Sequence, residues 1–152
     1  MESGLSLLQW SNMNPAAIIL EKNYSEGRAI ADVRVAVLNP DSLRQVTFEA
    51  KAKIDTGFDA GFHIRESEMS QLAMIGIRPI AGTVTLAGNV PATAYHCFGY
   101  LQRIGDHELP PPGIEIALVF QGNRPQGLLG LEAMSSWTVT FNGPAQSFSI
   151  AC

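Results

Sequence analysis

Val46-Thr47-Phe48-Glu49-Ala50-Lys51-Ala52-Lys53-Ile54-Asp55-Thr56-Gly57-Phe58 is the stretch that decides the fold. Apolar residues at 46, 48, 50, 52 and 54 alternate with polar ones, the period-2 signature of a half-buried strand. The strand runs straight into an acid, a hydroxyl and a glycine. Gly57 lets the backbone turn with no Cβ in the way, so peptide N–H groups can point at the Asp55 carboxylate. Asp-Thr-Gly occurs once in the chain.

Upstream, Ala31, Val33, Val35 and Val37 alternate with Asp32, Arg34 and Ala36, and Asn39-Pro40-Asp41-Ser42 is a turn cluster. Together the two segments predict a hairpin ending at Asp55. Downstream, Phe62-His63-Ile64 reads as a short strand. Glu66 to Met74 reads as a short helix with acids in its first turn, Met69, Leu72 and Ala73 on one face, and Gly76 to stop it. Thr83 to Tyr95 predicts a long hairpin whose tip is Ala87-Gly88-Asn89, its second arm continuing to Ile104. Gly105 to Glu108 reads as a turn and Pro110-Pro111-Pro112-Gly113 as a stiff connector. Ile114 to Phe120 alternates again, and Gln121 to Gln126 is a polar loop. Leu128-Leu129-Gly130 then leads into an expected second short helix through about Ser135. Trp137 to Phe141, the turn Asn142-Gly143, and Phe148 with Ile150 form a closing hairpin. The fold class is mainly β with one or two short helices. Nine Pro and fourteen Gly agree with a turn-rich β fold.

At 152 residues the chain fits one domain large enough for a real core. Residues 1–27 are weakly patterned and read as an N-terminal arm, with a strand around Ile18-Ile19-Leu20 that packs on the domain or on a partner. Residues 28–152 carry the domain. Charged residues make up only 16% and the net charge is −4, with no basic stripe, so no nucleic-acid partner is expected. No apolar run reaches membrane-spanning length, and Met1 to Trp10 lacks a basic leader; a soluble, cytoplasmic protein without a membrane partner is expected. Cys97 and Cys152 make no disulfide framework.

No metal or other cofactor is expected either. His63, His96 and His107 lack ligand spacing, and neighbours His96 and Cys97 on one strand point to opposite faces. His63 is expected to face solvent or an interface, Met69, Met74 and Met134 to pack in the core, and Asp59 to cap a turn. No nucleophile-elbow pattern is present.

One carboxylate cannot serve as both general base and general acid toward a water. Two within about 3 Å cannot both ionise near neutral pH, so they share a proton and divide the two roles. Asp55 therefore has the chemistry of half a site. Asp, Thr and Gly also favour turns, so the triplet alone fits a plain polar turn. Gly127-Leu128-Leu129-Gly130-Leu131 adds two apolar residues and a glycine able to pack beneath the Asp55 loop and shield it from water; a plain strand-to-helix junction would look the same.

Taken in order, the strand into Ile54-Asp55-Thr56-Gly57, the helix at Glu66 to Met74, the glycine-tipped hairpin and Leu128-Leu129-Gly130 resemble the retropepsin-like aspartic proteases over residues 29–150, and within them the small bacterial members. The resemblance implies a closed, barrel-like β fold and a homodimer. It implies that Asp55 is catalytic, paired with Asp55 of the partner subunit on a two-fold axis. Thr56 and Gly57 brace the loop, with Leu128, Leu129 and Gly130 in support. It makes the Thr83 to Tyr95 hairpin a flap, with Leu86, Ala87, Gly88 and Asn89 over a peptide or protein substrate. Phe58, where retroviral members usually carry Ala, borders the nearest substrate pocket. Phe148 and Ile150 are candidates for joining subunits. Activity should fall when the acid pair loses its shared proton and again when it gains a second. Two other readings stay open: a non-catalytic module of the same fold for dimerisation or peptide capture, and a small monomeric β-barrel binding protein.

Overall fold

The computed structural model describes residues 17–86, 90–121 and 127–152. In chain order the elements are β1 (Ile18–Asn23), β2 (Ile30–Leu38), β3 (Gln45–Ile54), β4 (Phe62–His63), α1 (Glu66–Met74), β5 (Ile80–Leu86), β6 (Val90–Ile104), β7 (His107–Glu108), β8 (Ile114–Phe120), β9 (Gly127–Leu129), β10 (Thr138–Asn142) and β11 (Ser147–Ala151).

β2 and β3 form the expected antiparallel hairpin, with Val33 opposite Ala50, Val35 opposite Phe48 and Ala31 opposite Ala52. Directly opposed residues point to the same face, so the two alternations make one apolar surface. From β3 the sheet runs through β9, β4, β8 and β6, and β6 returns to pair with β2. Six strands thus close into a barrel, and closure removes the free edges that an open sheet exposes. Ala31, Val33, Ala52, Phe62, Leu101, Ile104, Leu118 and Leu129 are fully buried in its core. Each large apolar side chain so enclosed contributes about 1.5–3 kcal/mol of burial. Outside, cross-strand ion pairs join Lys51 to Asp32 (3.0 Å), Arg103 to Glu49 (3.2 Å) and Arg34 to Glu108.

The predicted 1–27 arm contributes β1, which pairs along β11, while β10 pairs along the other side of β11. This three-stranded sheet adds Phe148 and Ile150 to the same core. Its packing onto the barrel is direct: Gly105, at the end of β6, leaves so little room that an added Cβ would lie 2.7 Å from Leu20 Cδ1.

Helix α1 has the expected bounds. It ends in a Schellman motif, with Gly76 N–H donating to Ala73 O (3.1 Å) and Ile77 N–H to Leu72 O (3.0 Å), and Gly76 at φ +78°. Its inner face differs from the expectation. Leu72 is buried and Met69 half-buried, but Ala73 is exposed and Met74 is 73% exposed. Glu68 takes their place, held by Arg65 Nε (2.9 Å) and Ser67 Oγ (2.7 Å).

The second helix expected after Gly130 is instead a pair of turns. Met134 N–H donates to Leu131 O and Trp137 N–H to Met134 O. The seven residues between Leu129, the end of β9, and Trp137 are too few to repay helix nucleation. α1 is the one helix among the described residues, and no described helix is long and apolar enough to cross a membrane. His107 and Glu108, expected in a turn, pair as β7 with the end of β6.

Candidate active site

The parallel pairing of β3 with β9 positions Asp55. Ile54 lies opposite Leu129, and the Asp55 N–H donates to Leu129 O at 2.9 Å. β9 is itself held on its other side by β4, with Phe62 opposite Leu129 and His63 opposite Leu128. Three strands therefore grip the loop between residues 55 and 61.

Further main-chain bonds tie the loop across itself. Phe58 N–H donates to Asp55 O (3.2 Å), Gly130 N–H to Gly61 O (2.9 Å) and Leu131 N–H to Phe58 O (2.8 Å). Gly130 has to be a glycine for this approach. A Cβ there would lie 2.1 Å from Ala60 O and 2.5 Å from Phe58 O, and backbone on both sides cannot give way. Gly61 is similarly tight, 2.4 Å from Ile116 Cβ.

The Asp55 side chain is half-buried, and its Oδ1 accepts the Gly57 N–H at 2.9 Å. That bond presents the carboxylate at the loop's outer surface and holds one of its oxygens. Among the described residues no second carboxyl is hydrogen-bonded to it. Thr56 and Gly57 are exposed beside it. Leu128 and Leu129 are buried directly beneath, as the sequence suggested. These residues come together as one site.

Phe58 is placed differently from a simple pocket wall. Its ring turns inward, with Cδ2 2.7 Å from where a Gly130 Cβ would stand, and meets the His63 ring edge-on at a centroid distance of 6.4 Å. The expectation that His63 faces solvent or an interface is corrected: it is 1% exposed. β4 is a two-residue strand enclosed by β8 and β9, so both of its side chains are covered. His63 Nε2 lies 3.2 Å from the Gln121 amide nitrogen, fastening the end of β8. Sequence reasoning misplaced this histidine and passed over Glu68. The signals were faint: a histidine flanked by Phe62 and Ile64, and Arg65 three residues before Glu68.

The expected flap is a hairpin of β5 and β6, in register from Ile80 opposite His96 to Leu86 opposite Val90. It starts earlier than the sequence suggested. Leu86 ends β5; Ala87, Gly88 and Asn89 lie outside the described residues, as does 122–126 of the polar loop. The expectation that Phe148 and Ile150 join subunits is corrected as well. They are 2% and 0% exposed within one chain, and both edges of β11 are already paired.

A cleft of about 550 Å³ opens on the outer barrel face, lined by Asp32, Glu49, Lys51, Arg65, Arg103 and Asp106 among others. Asp55 does not line it.

No protein-family model and no curated protein sequence matches the chain. Among solved structures, the crystal structure of a retropepsin-like aspartic protease from Rickettsia conorii superposes with a TM-score of 0.57 at 12% identity, covering 91% of this chain and 96% of that one. The chain therefore has the retropepsin-like fold, a closed β-barrel with one helix among the described residues.

Proposed function

We propose that this chain is one half of an aspartic endopeptidase, a hydrolase that becomes complete when two copies bring their Asp55 side chains together. The observation that carries the reading is the Asp55 loop itself. It is a carboxylate held by its own Gly57 N–H on a backbone cross-braced by Leu129, Gly130 and Leu131, in a fold shared with a bacterial aspartic protease.

In the proposed mechanism the twin carboxylates share one proton. The ionised acid takes a proton from the attacking water while the protonated acid donates to the scissile carbonyl oxygen, giving a tetrahedral gem-diol. Proton transfer to the amide nitrogen then lets the C–N bond break and regenerates the shared proton. Thr56 braces the two loops across the axis. An extended peptide binds as an added strand between the loops and the two hairpins, with Leu86, Ala87, Gly88 and Asn89 closing over it. Phe58 acts on the pocket from below, by setting the loop's shape against Gly130 and His63. The homodimer and the peptide substrate belong to the same proposal.

The test is to incubate concentrated protein with an unfolded protein substrate at several pH values, with and without a statine-type inhibitor. Inhibitor-sensitive cleavage with a bell-shaped pH profile is expected. No such cleavage at any pH would sink the reading and leave the same fold serving dimerisation or peptide capture.

A further inference from the structure

We infer that Glu132 and His63 are positioning residues for Asp55: their side chains close the two ends of the short β4–β8 ladder and so fix the loop that carries the acid. The effect on catalysis rests on the protease reading above; the effect on the loop does not.

The first argument concerns the edge of β8. In a strand every second residue turns its N–H and C=O toward the same neighbour. On β8 the residues turned toward β4 are Ala117, Val119 and Gln121: Gly61 N–H donates to Ala117 O (3.2 Å) and Ile64 N–H to Val119 O (2.9 Å). β4 has only two residues, Phe62 and His63. Its backbone serves the middle of the row and leaves the N–H groups at both ends to other acceptors. At one end the Ala117 N–H donates to Glu132 Oε1. At the other the Gln121 amide nitrogen lies 3.2 Å from His63 Nε2. A donor without an acceptor at either end would weaken the ladder, so two side chains do what a longer β4 would do with its backbone. The Glu132 bond is charge-assisted, the stronger kind. The His63 bond persists in either state of the ring: a bare Nε2 accepts the Gln121 N–H, and a protonated one donates to Gln121 O, 3.3 Å away.

The second argument is convergence. Glu132 follows Leu131, whose N–H donates to Phe58 O (2.8 Å), and Gly130 N–H donates to Gly61 O (2.9 Å). Gly61 in turn donates to Ala117, the residue that Glu132 holds. The turn after β9, the Asp55 loop and β8 are thereby linked in one ring of bonds, and the Glu132 carboxylate closes it. Glu132 is exposed, so this bond and not packing sets where its side chain lies. His63, buried in the opposite flank of the loop, meets the Phe58 ring edge-on with 71° between the planes. Both lines end at Phe58, whose own N–H donates to Asp55 O (3.2 Å). Glu132 acts on the acid through the backbone of Phe58 and His63 through its ring.

The experiment uses the full chain. Glu132→Met keeps the length of the side chain and removes the acceptor; Glu132→Gln keeps an acceptor oxygen. His63→Phe keeps a ring against Phe58 and removes the nitrogen that meets Gln121. Amide hydrogen exchange under native conditions reads the loop without turnover. In Glu132→Met and His63→Phe the amides of Phe58, Gly61, Gly130 and Leu131 should exchange about ten- to a hundredfold faster, while those of β2, paired on both sides, exchange as in wild type. In peptide cleavage the same two variants should lose about ten- to a hundredfold in kcat with KM within about threefold, because a displaced acid slows the chemistry more than it weakens binding. Glu132→Gln should stay within about threefold of wild type in both readouts. Should His63→Phe fail to fold, His63→Gln, which keeps the Gln121 bond and loses the ring, takes its place with the same loosening expected. Loop amides that exchange as in wild type, acceleration that extends to β2, Glu132→Gln no better than Glu132→Met, or a loosened loop with unchanged kcat would each overturn the inference. A wild type without inhibitor-sensitive cleavage, in variants of which the loop still loosens, would overturn the protease reading alone, since the exchange result stands independently of turnover.

Discussion

The Asp55 loop and the β5–β6 hairpin belong to one sheet system but are held in opposite ways. The loop is fastened from several directions by its own chain: β9 pairs with β3 on one side and β4 on the other, and three backbone bonds cross between residues 55–61 and 129–131. In the hairpin, β5 has a single partner, β6, and its other edge pairs with nothing among the described residues. Ile80 on β5 is 76% exposed. Catalysis by a shared proton needs acids placed to a fraction of an ångström. Admitting a substrate strand needs an edge with unused hydrogen-bonding groups and few contacts to break. On the protease reading proposed above, the two regions would divide those requirements.

Substitutions can break that division, starting at the acid. Asp55→Asn keeps the shape and the Gly57 bond but removes the ionisable group. It should abolish cleavage, a loss of at least about a thousandfold, while the melting temperature and sedimentation stay those of wild type. Retained turnover of the same peptide would end the catalytic assignment.

A pair of glycines sharpens the contrast. Gly130→Ala drives a Cβ to 2.1 Å from Ala60 O. With backbone as the obstacle, the loop must shift, and we expect a loss of about 2–3 kcal/mol, read as a melting point lower by about 5–10 °C. Gly82→Ala on β5 meets only the end of the His96 side chain, at 3.0 Å. The imidazole can swing aside, so the change should stay within about 0.5 kcal/mol. Equal effects at the two positions would contradict the difference in how the regions are held.

The smallest effect lies where hairpin merges into barrel, at Cys97 opposite Leu118 on β8. Burial pushes this thiol up from its ordinary value near 9 to about 11. A raised folded pKa means its contribution to stability is present below pH 9 and is lost as pH rises through 11. The loss should be slight, because the group is only half-buried, and Cys97→Ala should flatten that part of the stability–pH curve. At neutral pH a thiol reagent should modify exposed Cys152 well before Cys97. Equal labelling of both would mean the strand junction is open.

How far the sequence foretold this arrangement depended on the range of the interactions involved. The run from Val46 to Ile54 announced β3 because one face is buried along its length and the period is two. The bounds of α1 matched because acids in the first turn and Gly76 are local signals. The turns after Gly130 were misread as a helix because Leu131 to Met134 has helical composition but no room to propagate. Burial of His63 and Glu68 was hidden because it depends on what lies across from β4 and α1, which no local pattern encodes. Phe148 and Ile150 announced a strand but not its neighbours, so a surface for a partner was expected where β1 and β10 of the same chain lie. At the site, Asp-Thr-Gly and Leu-Leu-Gly were both visible. That Gly130 is a close-approach glycine, and that Phe58 turns toward it, followed only from the parallel pairing that brings β9 beside β3.

The central claim is that catalysis requires one Asp55 from each of two chains, and mixing tests it most directly. Wild type is held at a fixed concentration near its dimer midpoint and Asp55→Asn chains are added in increasing excess, with subunit exchange followed by fluorescence transfer between labelled copies. Each mixed dimer would hold a single acid, so cleavage should fall steadily toward zero as exchange proceeds. Cleavage that persists undiminished while labelled copies are seen to exchange would show that one acid per assembly suffices, and the account would be wrong.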